Sequence, residues 1–183
     1  MKKQILLFLV LCAAINSAQA LPKAAFAIRG FSNQSLTYIN LQTGVVRDSV
    51  VAIGPSANAL VIRGSKLYVV NSGGSFVGLN ASIMIFNIPD IINNVQPLPV
   101  TRVAIPDNKN PYDLLFVNDT KAYISYLLDS SVVAFNPSNN TLGRRIQVGL
   151  GPEGLAVANG KVYVANAYNP ANFAYGTTVS VVS

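Results

Sequence analysis

Residues able to carry acid–base, nucleophilic or metal chemistry are scarce in this chain. It has no histidine, no tryptophan, one cysteine (Cys12) and seven carboxylates, Asp48, Asp90, Asp107, Asp113, Asp119, Asp129 and Glu153. Without histidine a serine triad has no general base. Without a cysteine beyond the leader there is neither a thiol nucleophile nor an ordinary zinc ligand set. The carboxylates form no recognisable catalytic pair. Asp and Asn oxygens suit calcium, but the D-x-[DN]-x-[DN]-G spacing of a calcium loop is absent. No catalytic residue, metal or cofactor is therefore expected among these residues, and what remains is contact chemistry. Two Gly- and Asn-rich segments carry aromatics, Asn71 to Ala81 (NSGGSFVGLNA) and Asn166 to Thr177 (NAYNPANFAYGT). Phe76, Tyr168, Phe173 and Tyr175 are the candidate contact residues, because aromatic rings give area at low entropy cost and favour interfaces. Asp113 and Glu153 are the candidate carboxylates, since Pro111-Tyr112-Asp113 and Pro152-Glu153-Gly154 occupy equivalent places in a repeat, with Asn58 at the matching position.

The elements that position these residues follow from that repeat. Ala25-Phe26-Ala27-Ile28, Leu67-Tyr68-Val69-Val70, Ala122-Tyr123-Ile124-Ser125 and Val162-Tyr163-Val164-Ala165 return at a spacing of about 40 to 55 residues, the period of a β-propeller blade built from short strands. With the strands of a blade called a to d, the third unit reads cleanly. Strand a runs from Pro111 through Val117, b is Ala122 to Tyr126, c is Ser131 to Asn136, and d is Gly143 to Val148. The second unit gives Asn58 to Arg63, Lys66 to Asn71, Ser82 to Asn87 and Thr101 to Ile105. The fourth gives a, b and c at Gly154 to Ala158, Val162 to Ala165 and Thr178 to Val182. The first gives b, c and d at Ala25 to Ile28, Leu36 to Asn40 and Val46 to Ala52. Each is a β-branched or aromatic run bounded by Asn, Asp, Gly, Pro or Ser, and Asn159-Gly160 is a strong hairpin signal. The expected fold is all-β, a β-propeller of four-stranded antiparallel blades. About four blades are present over 21–55, 56–106, 107–149 and 150–183, the first and last incomplete. The b–c loops and the d–a junctions then share one face, with Asp113 and Glu153 at the mouth of a central channel. The competing reading has the aromatics cover their own blade's rim, the carboxylates bond their turns, and Asn71 and Asn166 act as turn caps.

Val162-Tyr163-Val164-Ala165-Asn166 with Thr178-Val179-Ser180-Val181-Val182, preceded by Ile146-Gln147-Val148-Gly149 and Gly151-Pro152-Glu153-Gly154-Leu155-Ala156-Val157, resembles the YVTN-type β-propeller repeats of exported, surface-layer-like bacterial proteins. Leu67-Tyr68-Val69-Val70-Asn71 fits the same pattern, and Phe26 replaces its tyrosine in the first unit. The resemblance covers essentially the whole chain beyond the leader. It implies a ring of about seven blades and is nearly silent on chemistry, because the motif consists of strand and turn residues. Propeller lyases and lactonases generally rely on histidine or a metal cage, and quinone-dependent dehydrogenases on a Trp-bearing motif, so those activities do not transfer onto these residues. The chain departs from the implied ring by opening at strand b and closing at strand c. The expectation is part of a larger ring that lacks roughly three blades, with a small four-bladed ring as the alternative. Open end blades imply apolar faces and self-association.

Residues 1–20 read as a secretory signal: Lys2 and Lys3, an apolar run from Ile5 to Ile15, and a small-x-small site at Ala18-Gln19-Ala20. The run is shorter than the roughly 20 residues that span a bilayer, so no stable membrane insertion is expected after cleavage. Leu11 stands where a lipoprotein signal carries a small residue, so Cys12 is not expected to be lipidated. The formal net charge of +6 falls by two when Lys2 and Lys3 leave. The remaining basic residues are scattered apart from Arg144-Arg145, which argues against a nucleic-acid partner. The Asn-x-Ser/Thr sequences at Asn33, Asn80, Asn118 and Asn139 are read as turns rather than glycosylation sites. The expected protein is a secreted or periplasmic, non-catalytic scaffold binding an unknown protein or envelope component through its loop face. A hydrolase or lyase with catalytic residues in further blades, and a purely structural envelope component, are the alternatives.

Overall fold

The computed structural model describes residues 23–30, 34–74, 79–106, 109–169 and 171–183. The leader and Phe76 lie outside them. Among the described residues fourteen strands form four antiparallel meanders. Blade 1 holds β1 (Ala24–Arg29), β2 (Ser35–Asn40) and β3 (Val46–Ala52). Blade 2 holds β4 (Ala57–Arg63), β5 (Lys66–Asn71), β6 (Ser82–Asn87) and β7 (Val100–Ala104). Blade 3 holds β8 (Pro111–Phe116), β9 (Ala122–Tyr126), β10 (Ser131–Asn136) and β11 (Thr141–Gln147). Blade 4 holds β12 (Pro152–Ala158), β13 (Lys161–Asn169) and β14 (Ala174–Val182).

Every expected strand is present in the expected order, because each was marked at both ends by turn residues. The Asn159-Gly160 turn shows why: both residues have positive φ, 49° and 71°, the conformation a two-residue hairpin requires and these two residue types tolerate. Local pattern was a poorer guide in two places. The last b–c segment is not an open loop: β13 and β14 run on as hairpin arms through Tyr168↔Tyr175 and Asn169↔Ala174. A short helix, α1 (Ile88–Ile92), follows β6, with Pro89 in its first turn. Arg47 of blade 1 donates to Ile91 O, Ile92 O and Asn94 Oδ1 at the end of α1, and its guanidinium lies 4.4 Å from the centre of the Tyr38 ring. No single sheet encodes that contact, since it joins two blades.

The core is divided among the spaces between blades. Phe26, Leu36 and Tyr38 of blade 1 meet Leu60, Leu67, Val69 and Phe86 of blade 2. Tyr68, Val70 and Ile83 of blade 2 meet Ile124, Val133 and Phe135 of blade 3, with Tyr68 edge-on to Phe116 at 4.8 Å. Tyr123 and Val132 of blade 3 meet Val162, Val164 and Val182 of blade 4. The repeated aromatic thus packs forward onto the next blade, which explains its recurrence. Tyr163 holds the same register on the far face of blade 4, beside Val181 (52% exposed) and near Val179 (61%). Among the described residues no helix is long and apolar enough to cross a membrane.

Candidate functional site

All three a strands carry a bulge at one place, between Ala57 and Ala59, Pro111 and Leu114, and Pro152 and Leu155. A bulge bends its strand and re-aims backbone groups. Here it presents carbonyls to the preceding blade. Ser72 Oγ donates to Pro111 O at 3.0 Å, and Ser125 Oγ donates to Glu153 O at 2.6 Å. Backbone bonds Ser72 N to Ser56 O, Leu127 N to Asn110 O and Ala167 N to Gly151 O close the same end of blades 2, 3 and 4. The b–c connections and d–a junctions therefore share one face, as the repeat requires.

Asp113 is committed to this framework. Its Oδ1 accepts from Leu114 N at 2.8 Å and its Oδ2 accepts from Leu155 N of blade 4 at 2.9 Å, while its own N–H donates to Ser125 Oγ at 3.1 Å. Burial raises its carboxyl above the usual range, only partly offset by the Leu155 and Leu114 N–H groups. Its arrangement is a latch between two blades. Glu153 sits at the register of Tyr112, one residue removed from that of Asp113. Its half-buried carboxylate has no hydrogen-bond partner among the described residues, and burial raises it. Burial, then the charges of Glu153 and Asp113, raise the Tyr112 hydroxyl. These three groups share one electrostatic neighbourhood, and Glu153 is the carboxylate left available in it.

Asn71 and Asn166 are not turn caps. Both are turned into the blade at the register that Tyr126 occupies in blade 3. Asn166 Nδ2 donates to Thr178 Oγ1 and Ser180 Oγ, each at 3.0 Å. Asn71 Nδ2 reaches Ser82 Oγ at 3.5 Å, while Asn71 Oδ1 and Tyr126 Oη have no partner among the described residues. The sequence pattern hid this because Asn also marks turns.

The blade 4 hairpin carries the exposed aromatics. Gly151, at φ +55°, lies where any Cβ would collide with the Tyr168 carbonyl, so that glycine seats the hairpin against the d–a junction. At the tip, Ala171 N donates to Asn169 Oδ1, Ala174 N to Asn172 Oδ1, and Phe173 N to Asn169 O. Phe173 has φ +58°, a strained conformation for a bulky residue. Its ring stands edge-on to Tyr168 at 6.1 Å, yet it is 71% exposed, and Tyr175 is 91% exposed. In blade 2 the corresponding connection is pinched by reciprocal Gly74–Leu79 backbone bonds. Phe76, between them, is outside the described residues. The structure thus brings Tyr168, Phe173 and Tyr175 together on one hairpin and assigns Asp113 to the frame.

No family model matches the chain, and no curated protein matches it. Solved structures do. Hydrazine synthase of Kuenenia stuttgartiensis matches with a TM-score of 0.65 and 17% identity, covering 87% of this chain and 55% of that one. Streptogramin B lyase matches at 0.58 and 8%, covering 86% and 50%. BamB of Moraxella catarrhalis matches at 0.54 and 15%, covering 80% and 38%. The chain spans about half the length of these structures or less. At such identities the likeness shows the fold, and the fold is a β-propeller.

Proposed function

We propose that this chain is an exported, non-catalytic β-propeller scaffold of the YVTN-repeat type that binds a protein or envelope component through its b–c face. The observation that carries the reading is the blade 4 hairpin, which holds Phe173 in a strained conformation and leaves it and Tyr175 open to solvent. Exposed aromatics held on a connection of a rigid frame suit a binding surface, because such connections carry contact residues and aromatic side chains dominate contact energy. Export follows from the leader pattern at residues 1–20, and the scarcity of His, Cys and paired carboxylates supports binding over catalysis. The test is retention of the purified chain on isolated cell-envelope fragments, alongside fractionation of expressing cells. Retention that falls at least about tenfold in the Phe173→Ala/Tyr175→Ala double variant, with the unfolding midpoint unchanged, is the expected result. Equal retention of both proteins, or a cytoplasmic chain with its leader intact, contradicts the reading.

A further inference from the structure

Lysines that are scattered along the sequence come together in the fold. Lys66, Lys121 and Lys161 each stand at the head of a b strand, two residues before the repeated tyrosine, where the a–b hairpin turns. All three are exposed, and none forms an ion pair among the described residues. Lys121 lies 5.4 Å from the centre of the Tyr123 ring, a contact that leaves its charge in place. Lys66 and Lys121 belong to blades 2 and 3, each of which has a neighbour on both sides. The a–b and c–d turns lie opposite the b–c face. Their carboxylates, among the described residues, are Asp119, held by Arg63 at 2.7 Å, and the half-buried Asp90 in the first turn of α1. The lysine charges on this side are therefore left over. Aliphatic side chains stand beside them. Ile88 N donates to Ser65 O at 2.8 Å and Lys66 is in register with Asn87, so α1 lies against the blade 2 lysine turn. Ile92 at the end of α1 and Val95 just beyond it are 42% and 38% exposed.

We infer that this a–b face rests on the surface of an anionic phospholipid bilayer, with the lysines on headgroup phosphates and Ile92 and Val95 in the interfacial layer. Two features select that occupant. Charges on separate turns of successive blades match a plane of phosphates, whereas a single small anion needs donors that converge on one point. Aliphatic side chains beside the lysines gain from burial at the headgroup boundary, which a nucleic acid or an acidic polymer does not offer. Asp113 and Glu153 stand on the opposite face, so an anionic surface takes this side and leaves the b–c hairpin pointing away from it. The association is peripheral and does not use the hairpin. Salt screens it, so it orients the chain while retention on envelope fragments reports the hairpin.

The probe is a vesicle of phosphatidylcholine with about one-third phosphatidylglycerol, compared with pure phosphatidylcholine, and the full chain is followed by flotation at low salt. Binding to the anionic vesicles alone is expected. It should fall about fivefold in Lys66→Gln or Lys121→Gln and about 25-fold in the double variant, the factor that a lysine near such a surface supplies. Arg144→Gln removes the same charge from an exposed position inside β11, away from the turns, and should change binding less than about twofold. Ile92→Ser should weaken binding, and Phe173→Ala/Tyr175→Ala should leave it unchanged. Equal binding to neutral vesicles, a loss in Arg144→Gln as large as that in Lys66→Gln, or binding that ignores Ile92→Ser and is competed away by polyglutamate each overturns the proposal.

Discussion

Among the described residues blade 3 packs against blade 2 on one face and blade 4 on the other, and blade 4 packs against blade 3. The two blades start from nearly the same repeat. Blade 3 turns its candidate chemistry inward: Asp113 latches onto Leu155, and Asp129 gathers Lys109 at 2.9 Å, Arg145 at 2.7 Å and Ser131 at 2.8 Å. Blade 4 turns its own outward, in Phe173, Tyr175 and Glu153. A repeat therefore specifies where a side chain stands along a strand, and the blade on either side decides whether it becomes frame or surface.

The sharpest way to break this contrast is in the core. Phe135 and Val182 share a register; Phe135 is fully buried between blades 2 and 3, and the smaller Val182 is buried between blades 3 and 4. Phe135→Ala should cost about 3–5 kcal/mol by urea unfolding and Val182→Ala about 1–2 kcal/mol. Equal losses would mean that the larger Phe135 side chain is not the better packed of the two.

Next in size is the latch. Asp113→Ala strands two backbone N–H groups and should cost about 1–3 kcal/mol, against less than about 0.5 kcal/mol for Glu153→Gln. The pH dependence has a definite sign. Because burial raises the folded-state value of Asp113, the folded chain holds its proton more tightly than the unfolded chain. That contribution is present in acid and is lost as pH rises through the usual carboxylate range to the raised value. Asp113→Asn should therefore gain on the parent in urea midpoint as pH rises through and above the usual carboxylate range. Asp129 runs the other way. Burial would raise it, but the Lys109 and Ser131 hydrogen bonds and the Lys109 and Arg145 charges win, so its contribution is lost as pH falls. Asp129→Asn should flatten the acid limb of the stability profile.

Smaller still, Tyr126→Phe removes a buried hydroxyl that has no partner, and should stabilise the chain by up to about 1 kcal/mol in the same assay. Tyr175→Ala should shift stability by less than about 0.5 kcal/mol. Phe173→Gly should be neutral or slightly stabilising, since glycine accepts φ +58° without strain. Both should nonetheless weaken retention on envelope fragments.

Strands were legible because alternation and turn residues are local signals, and the repeat multiplied them. The d–a carboxylates were legible as positions but not as roles. Nothing in Pro111-Tyr112-Asp113 states that Leu155, in another blade, will bind that carboxylate. Asn71 and Asn166 misled for a related reason: the residue type that marks turns also serves as a buried bridge to Ser82, Thr178 and Ser180. The aromatics of the last b–c segment were legible as a cluster. Their extension on a hairpin was not, because Asn166 to Thr177 reads as turn residues throughout, and the pairing is set by register across a bulge between Asn166 and Tyr168.

The most direct test of the binding-face assignment is photocrosslinking in cells, with a photoreactive residue at Tyr175 on the b–c face or at Leu41, an exposed residue in the β2–β3 turn on the opposite face. The account predicts a discrete crosslinked species from position 175 that is absent from position 41 and is lost on adding Phe173→Ala. The same species from both positions, or from position 41 alone, would contradict it.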